Sequence, residues 1–140
     1  MRSFLDTNIL VYAVDAKDPQ KQERAQRLVE REVLNGRAVV STQVLQEYFV
    51  TVTRKLAVPV DVRAALDDIH DFLSWPTILV DGPMILAAIA RTTQQDFSFW
   101  DALIVEAALA GGSSVLYTED MQHGRELGAL RIVNPFVDLG

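Results

Sequence analysis

Cysteine is absent from the 140 residues and histidine occurs twice. Disulfides and thiolate metal sites are therefore excluded, and a histidine-rich metal site is disfavoured. Any metal would have to be a hard cation held by oxygen. No apolar run approaches the length needed to span a bilayer. No charged leader with an apolar stretch precedes the first strand-like run, so a cytoplasmic protein with no membrane association is expected. Cations are also in short supply, 13 Lys and Arg against 19 Asp and Glu, for a net charge of −6. That balance argues against a protein that holds nucleic acid by bulk charge. It leaves room for phosphate contact through a metal and a few local cations.

What is present is enough apolar material, 49% of residues, to fill the core of one domain spanning 1–140. Ser3-Phe4-Leu5 reads as a short buried strand. Ile9 to Val14 can start a helix, with Thr7 or Asn8 as cap. Asp18-Pro19 opens a second helix, apolar at Ala25, Leu28, Val29 and Val33, which Asn35-Gly36 ends. Ala38-Val39-Val40 is a strand, followed by a helix from Ser41 or Thr42 to about Leu56 and another from Asp61 to Leu73. Thr77 to Val80 is a third strand. Asp81-Gly82-Pro83 opens a helix that is apolar nearly all round, which implies burial on several sides or an interface. A helix from Ser98 to Ala110, a strand at Ser114 to Tyr117 and a last strand at Arg131-Ile132-Val133 complete the chain. Short apolar strands alternating with helices predict an α/β fold with a parallel sheet covered on both faces. In such folds sites form at the carboxyl ends of the strands.

Four acids fall at that edge. Asp6 interrupts the apolar run Ser3 to Ala13, directly after the first strand. Asp120 lies just past the fourth strand, Glu47 at the edge of the apolar face of its helix, and Asp101 in the first turn after Ser98. Two carboxylates about 4 Å apart repel by roughly 4 kcal/mol at an effective dielectric of 20. Such a cluster calls for protonation or for a divalent cation among the acids, and the cation reading points to metal-assisted phosphate chemistry. Each acid alone has a plainer reading: Asp6 as a helix cap, Asp101 in a Ser98-x-x-Asp101 capping box, Glu47 as a solvated flank, Asp120 as a turn residue. The functional reading rests on all four sharing one edge.

The order and spacing of four pieces carry a resemblance. They are Phe4-Leu5-Asp6-Thr7-Asn8, Leu45-Gln46-Glu47-Tyr48, Phe99-Trp100-Asp101-Ala102-Leu103-Ile104, and Thr118-Glu119-Asp120-Met121-Gln122-His123-Gly124 leading to Asn134-Pro135-Phe136. Together they span nearly the whole chain. The sequence resembles the PIN-domain family, and within it the VapC-type toxic ribonucleases of bacterial toxin–antitoxin pairs. The resemblance implies a three-layer α/β/α sandwich with a five-stranded parallel sheet, and a metal-dependent endoribonuclease using Mg²⁺ or Mn²⁺. It assigns Asp6, Glu47, Asp101 and Asp120 to the acidic metal site, holding the ion directly or through water. Thr7, Asn8 and Thr118 match supporting polar positions. An RNA substrate, a cognate antitoxin and a homodimer are implied on the same ground.

The residues leave rival assignments open. A haloacid-dehalogenase-like phosphatase would use Asp6 as nucleophile, but Asn8 stands where its second acid belongs, and no late Lys follows Lys55. A receiver-like signalling module and a non-catalytic RNA-binding module also fit an α/β domain with acids at one edge. Phe97, Phe99 and Trp100 could stack a base or pack in the core. Arg54-Lys55 and Lys17, Lys21 and Arg24 could guide a backbone or simply be solvated. Glu106 reads as a salt-bridged position, His123 as a turn residue, and Glu119 and Asp96 as ordinary loop acids.

Overall fold

The computed structural model describes residues 1–139 of the chain. Strand β1 (Arg2–Leu5) leads through Asp6 into α1 (Thr7–Tyr12) and then α2 (Pro19–Leu34). β2 (Ala38–Ser41) precedes α3 (Thr42–Arg54) and α4 (Val62–Leu73), and β3 (Thr77–Ile78) precedes α5 (Gly82–Gln94) and α6 (Phe99–Ala110). β4 (Ser113–Tyr117), β5 (Glu126–Leu127) and β6 (Leu130–Val133) follow, with a short 3₁₀ turn at Val137–Leu139. The sheet order is β3-β2-β1-β4-β6-β5.

This is the α/β architecture expected, with one correction. The sheet has six strands rather than five, and β5 runs antiparallel to β6. Glu126-Leu127 is a two-residue strand followed by a tight turn at Gly128, whose φ is +60°. Two residues leave no alternation to detect, and they sit among polar neighbours. The third strand is likewise shorter than expected, since only Thr77 and Ile78 pair with β2.

The central strands are buried on both faces. Phe4, Leu5, Val39, Val40, Leu116 and Ile132 are all fully enclosed. Burying a large apolar side chain stabilises by roughly 1.5–3 kcal/mol, so this layer anchors the strand ends from which the site is built. Strand order turns at β1: β2 lies on one side and β4 on the other, both parallel to it. Such a switch opens a crevice at the carboxyl edge. At the opposite edge Glu32 is buried, accepting from the Ser3 hydroxyl and from Arg37 at 2.9 Å and Arg31 at 3.2 Å.

Helix starts follow the expected caps, apart from the first. Ser41, Asp61, Asp81 and Ser98 each accept from a backbone N–H of the turn that follows. The cap of α1 is Asp6 itself, not Thr7 or Asn8: its carboxylate accepts from the Thr7 N–H at 2.7 Å. The apolar helix α5 buries only Ala88, while Ile85, Leu86 and Ile89 remain 39%, 70% and 48% exposed. Of the two readings of that helix, burial within the chain is ruled out and an unpartnered apolar face remains. Among the described residues no helix is long and apolar enough to cross a membrane.

Candidate active site

Leu5 pairs in register with Tyr117 on neighbouring parallel strands. The residues that follow, Asp6 and Thr118, therefore emerge side by side at the carboxyl edge. Thr118, fully buried, donates its hydroxyl to the second oxygen of Asp6 at 2.8 Å. It also accepts from the Asp120 N–H at 3.1 Å and from the Asn8 amide at 3.3 Å. Asn8 donates to the Asp120 carboxylate at 3.0 Å and accepts from the Glu119 N–H at 3.1 Å, pinning the post-β4 loop to α1. Thr7 donates to Glu47 at 2.9 Å, joining α1 to α3.

Asp101 arrives differently. Its helix follows α5 rather than a strand, but only Gly111-Gly112 separate α6 from β4, so α6 runs back along the sheet and starts at the carboxyl edge. The Ser98 hydroxyl accepts the Asp101 N–H at 3.1 Å, as the capping box requires, and the Asp101 side chain lines the cavity.

Asp6, Glu47, Asp101 and Asp120 thus wall a single cavity of about 390 Å³, together with Thr7 and Asn8. Thr118 lies behind the wall, touching Asp6. Among the described residues no three acidic or histidine side chains are drawn together as a ready-made metal cluster. The acids share a cavity without closing into a cage. The four acids are common lining residues and not an assembled ligand set. The electrostatic strain is visible nonetheless. Burial pushes the Asp6 carboxyl up to about 7, with Asp120 and Glu47 adding to the rise, while the bonds from Thr118 and Thr7 oppose it. Burial, then Asp120 and Glu47, raise Asp101 too.

Five further polar lining residues are not site candidates from the sequence: Tyr12, Asp15, Gln43, Thr51 and Glu119. Glu119 is no ordinary loop acid. It accepts from the Tyr12 hydroxyl at 2.6 Å and is ion-paired with Lys21, whose ammonium stands over the Tyr12 ring. A usable signal existed: Asn8 and Tyr12 fall four residues apart on α1, as do Gln43, Glu47 and Thr51 along α3, so each set shares one helical face. Arg24 pairs with Asp138, and Glu106 with Arg91 at 3.1 Å, the latter as expected. His123 lies in a turn, also as expected, and accepts from the Asn134 N–H at 2.9 Å just beyond β6. Phe97 and Phe99 pack against buried residues, whereas Trp100 is 61% exposed at the cavity wall.

A doubly covered, mostly parallel sheet with carboxylates from four segments around one carboxyl-edge cavity defines a class of α/β proteins with an acidic site. Comparison narrows it: the PIN domain family model matches residues 3–125. The chain belongs to the PIN domain family. Comparison with the curated proteins gives no match. Among solved structures, a toxin–antitoxin complex from Klebsiella pneumoniae is similar at TM-score 0.69 and 15% identity, covering 95% of this chain and 97% of that one. Mycobacterium tuberculosis VapC20, described as a sarcin–ricin loop cleaving toxin, is similar at TM-score 0.67 and 22% identity, with 84% and 89% covered. VapBC2 from Rickettsia felis, bound to a DNA fragment from its promoter, is similar at TM-score 0.63 and 21% identity, with 94% and 97% covered. At these identities the likeness is one of fold.

Proposed function

We propose that this protein is a metal-dependent endoribonuclease that hydrolyses RNA phosphodiester bonds, acting as the toxin of a type II toxin–antitoxin pair. The observation that carries the reading is the acidic cavity itself, built from carboxylates that lie as far apart in sequence as Asp6 and Asp120 yet share one wall. Family membership supports nuclease chemistry, and the likeness to toxin–antitoxin structures supports an antitoxin partner. The unpartnered face of α5 supports a homodimer.

The residues present fit a hard divalent cation. Every candidate ligand atom is an oxygen, and Asp6 is held at about 7, where a nearby positive charge would favour its ionised form. Asp6, Asp101, Asp120 and Glu47 would hold Mg²⁺ or Mn²⁺ directly or through water. Such an ion, when bound, supplies charge neutralisation and polarisation of the scissile phosphate. The chain's own groups do the rest. Thr118 and Thr7 fix the carboxylates of Asp6 and Glu47 in orientation. Asn8 holds Asp120 against α1. Glu47 orients the attacking water and accepts its proton. Water oxygen bonds to phosphorus, the bond to the 3′ oxygen breaks, the departing oxygen takes up the proton that Glu47 accepted, and a 5′-phosphate and 3′-hydroxyl result.

The test is cleavage of structured RNAs with Mg²⁺ or Mn²⁺, with and without EDTA, by the parent chain and by Asp6→Asn and Asp101→Asn. The parent should cut only with metal, and both variants should stay folded and inactive. Cleavage by Asp6→Asn at the parental rate would end the assignment.

A further inference from the structure

Beside the acidic cavity lies a second one of about 400 Å³, and the two share Gln43, Glu47, Thr51 and Trp100 as a common wall. The second is lined mainly by apolar surface, and its lining includes Trp100 and Lys55. Among the described residues lining either cavity, Lys55 is the one cation. Trp100 is 61% exposed; the Phe99 ring meets its ring edge-on at 5.1 Å, and the Gln43 amide donates to the Trp100 backbone carbonyl at 3.3 Å. That bond settles which way the Gln43 amide faces and leaves its oxygen without a partner. Gln43 is 5% exposed and lines both cavities, and its oxygen is an enclosed acceptor with no donor, lying just beneath that wall. Leaving such a group unsatisfied is costly, so it calls for a partner from outside the chain, a water or a ligand donor.

We infer that the second cavity is a nucleoside subsite for the RNA strand that flanks the scissile phosphate. A base stacks on Trp100, its phosphate meets Lys55, and a hydrogen-bond donor of that nucleoside satisfies the Gln43 oxygen once a small turn of that amide opens it to the cavity. The inference rests on the ribonuclease reading and specifies how the strand leaves the site. The three groups supply what single-strand recognition needs: a flat aromatic face, a cation for the backbone and a polar contact that discriminates. An orphan acceptor adds a chemical constraint, because it rewards a donor and rejects another acceptor. The ribose 2′-hydroxyl and a base N–H are the two donors a nucleotide can offer there. The shared wall makes the subsite contiguous with the acids, so one strand can occupy both cavities.

The experiment measures binding of a fluorescein-labelled single-stranded hexaribonucleotide by anisotropy in an Asp101→Asn background, which keeps the RNA intact, with Mg²⁺ present. Adding Trp100→Ala should weaken binding about tenfold or more. Adding Lys55→Ala should reduce the slope of log affinity against log salt by about 0.7. Two oligonucleotide series separate the donors: single 2′-deoxy substitutions, and base changes that remove an N–H. In the Gln43 protein one series should lose affinity at one position, and Gln43→Leu should erase that difference. Trp100 is exposed, so Trp100→Ala decides the matter even if Gln43→Leu fails to fold. Equal binding by Trp100→Ala and its background overturns the subsite, as does a Gln43→Leu protein that discriminates like Gln43. If the parent chain itself cuts no RNA with any divalent cation, the ribonuclease reading falls and the subsite falls with it. If the parent cuts and these variants bind unchanged, the subsite alone is lost.

Discussion

The Thr118 hydroxyl reaches the Asp6 carboxylate at 2.8 Å, bridging residues 112 apart in sequence. The same oxygen accepts from the Asp120 N–H, so one buried hydroxyl ties two of the four acids together. Thr118→Val, nearly isosteric, should therefore destabilise the fold by about 1–3 kcal/mol, because Asp6 and the Asp120 N–H both lose a partner. Urea unfolding measures this. Thr118→Ser should recover most of the loss, and a Val variant as stable as the parent would show that the bond contributes little.

Asp6 should make the metal-free protein less stable as pH rises. Its carboxyl is raised from 3.8 to about 7 by burial, so between those values the folded state holds a proton that the unfolded chain releases. The Asp6 contribution is then fullest below about pH 4 and declines up to about pH 7, by on the order of a few kcal/mol. Thermal unfolding in EDTA from pH 4.5 to 8 should show the fall, and Asp6→Asn should flatten it. A divalent cation should bind more tightly as pH increases through the same window, with proton release detectable by calorimetry in two buffers.

Asn8 contacts Asp120 through its amide N–H and the post-β4 loop through its oxygen. Under the proposed function, Asn8→Ala should lower metal affinity or cleavage by about 10–100-fold while leaving the fold intact, as removal of a ligand's supporting partner does. Metal titration alongside circular dichroism distinguishes this from unfolding.

Glu32 provides a contrast away from the cavity. It is 2% exposed, and its hydrogen bonds from Ser3, Arg37 and Arg31 outweigh burial and lower its carboxyl. Its contribution is thus present at neutral pH and lost as pH falls through and below 4.5. Glu32→Ala should destabilise by about 3 kcal/mol at pH 7, the low end for a broken buried pair because both arginines reach solvent. The penalty should shrink in acid, and cation affinity should not change.

The exposed apolar face of α5 should matter only in assembly. Leu86→Glu on that face should leave the monomer fold unaltered and lower the mass seen by sedimentation if two copies pair through it.

Local chemistry made much of this protein legible in advance. The β-branched runs at Val39-Val40 and Ile132-Val133, the Asp18-Pro19 and Ser98 starts and the Asn35-Gly36 stop each act within a few residues, so the elements fall where the sequence places them. The absence of cysteine restricted any metal site to oxygen, and the acids after β1 and β4 could be assigned to the carboxyl edge from topology alone. What lay beyond reach depends on groups distant in sequence. A two-residue strand such as Glu126-Leu127 exists because β6 offers it partners, not because of its composition. Glu119 resembles any loop acid until the fold brings Tyr12 and Lys21 against it. The vacant oxygen of Gln43 is defined only by what surrounds it once the chain is closed. Sequence determined which residues are apolar, which cap and which carry charge, since these are properties of short segments. The tertiary structure alone decided the Asp6–Thr118 contact, the level to which Asp6 is raised and the wall shared by two cavities, because burial and through-space charge depend on distance in the folded chain.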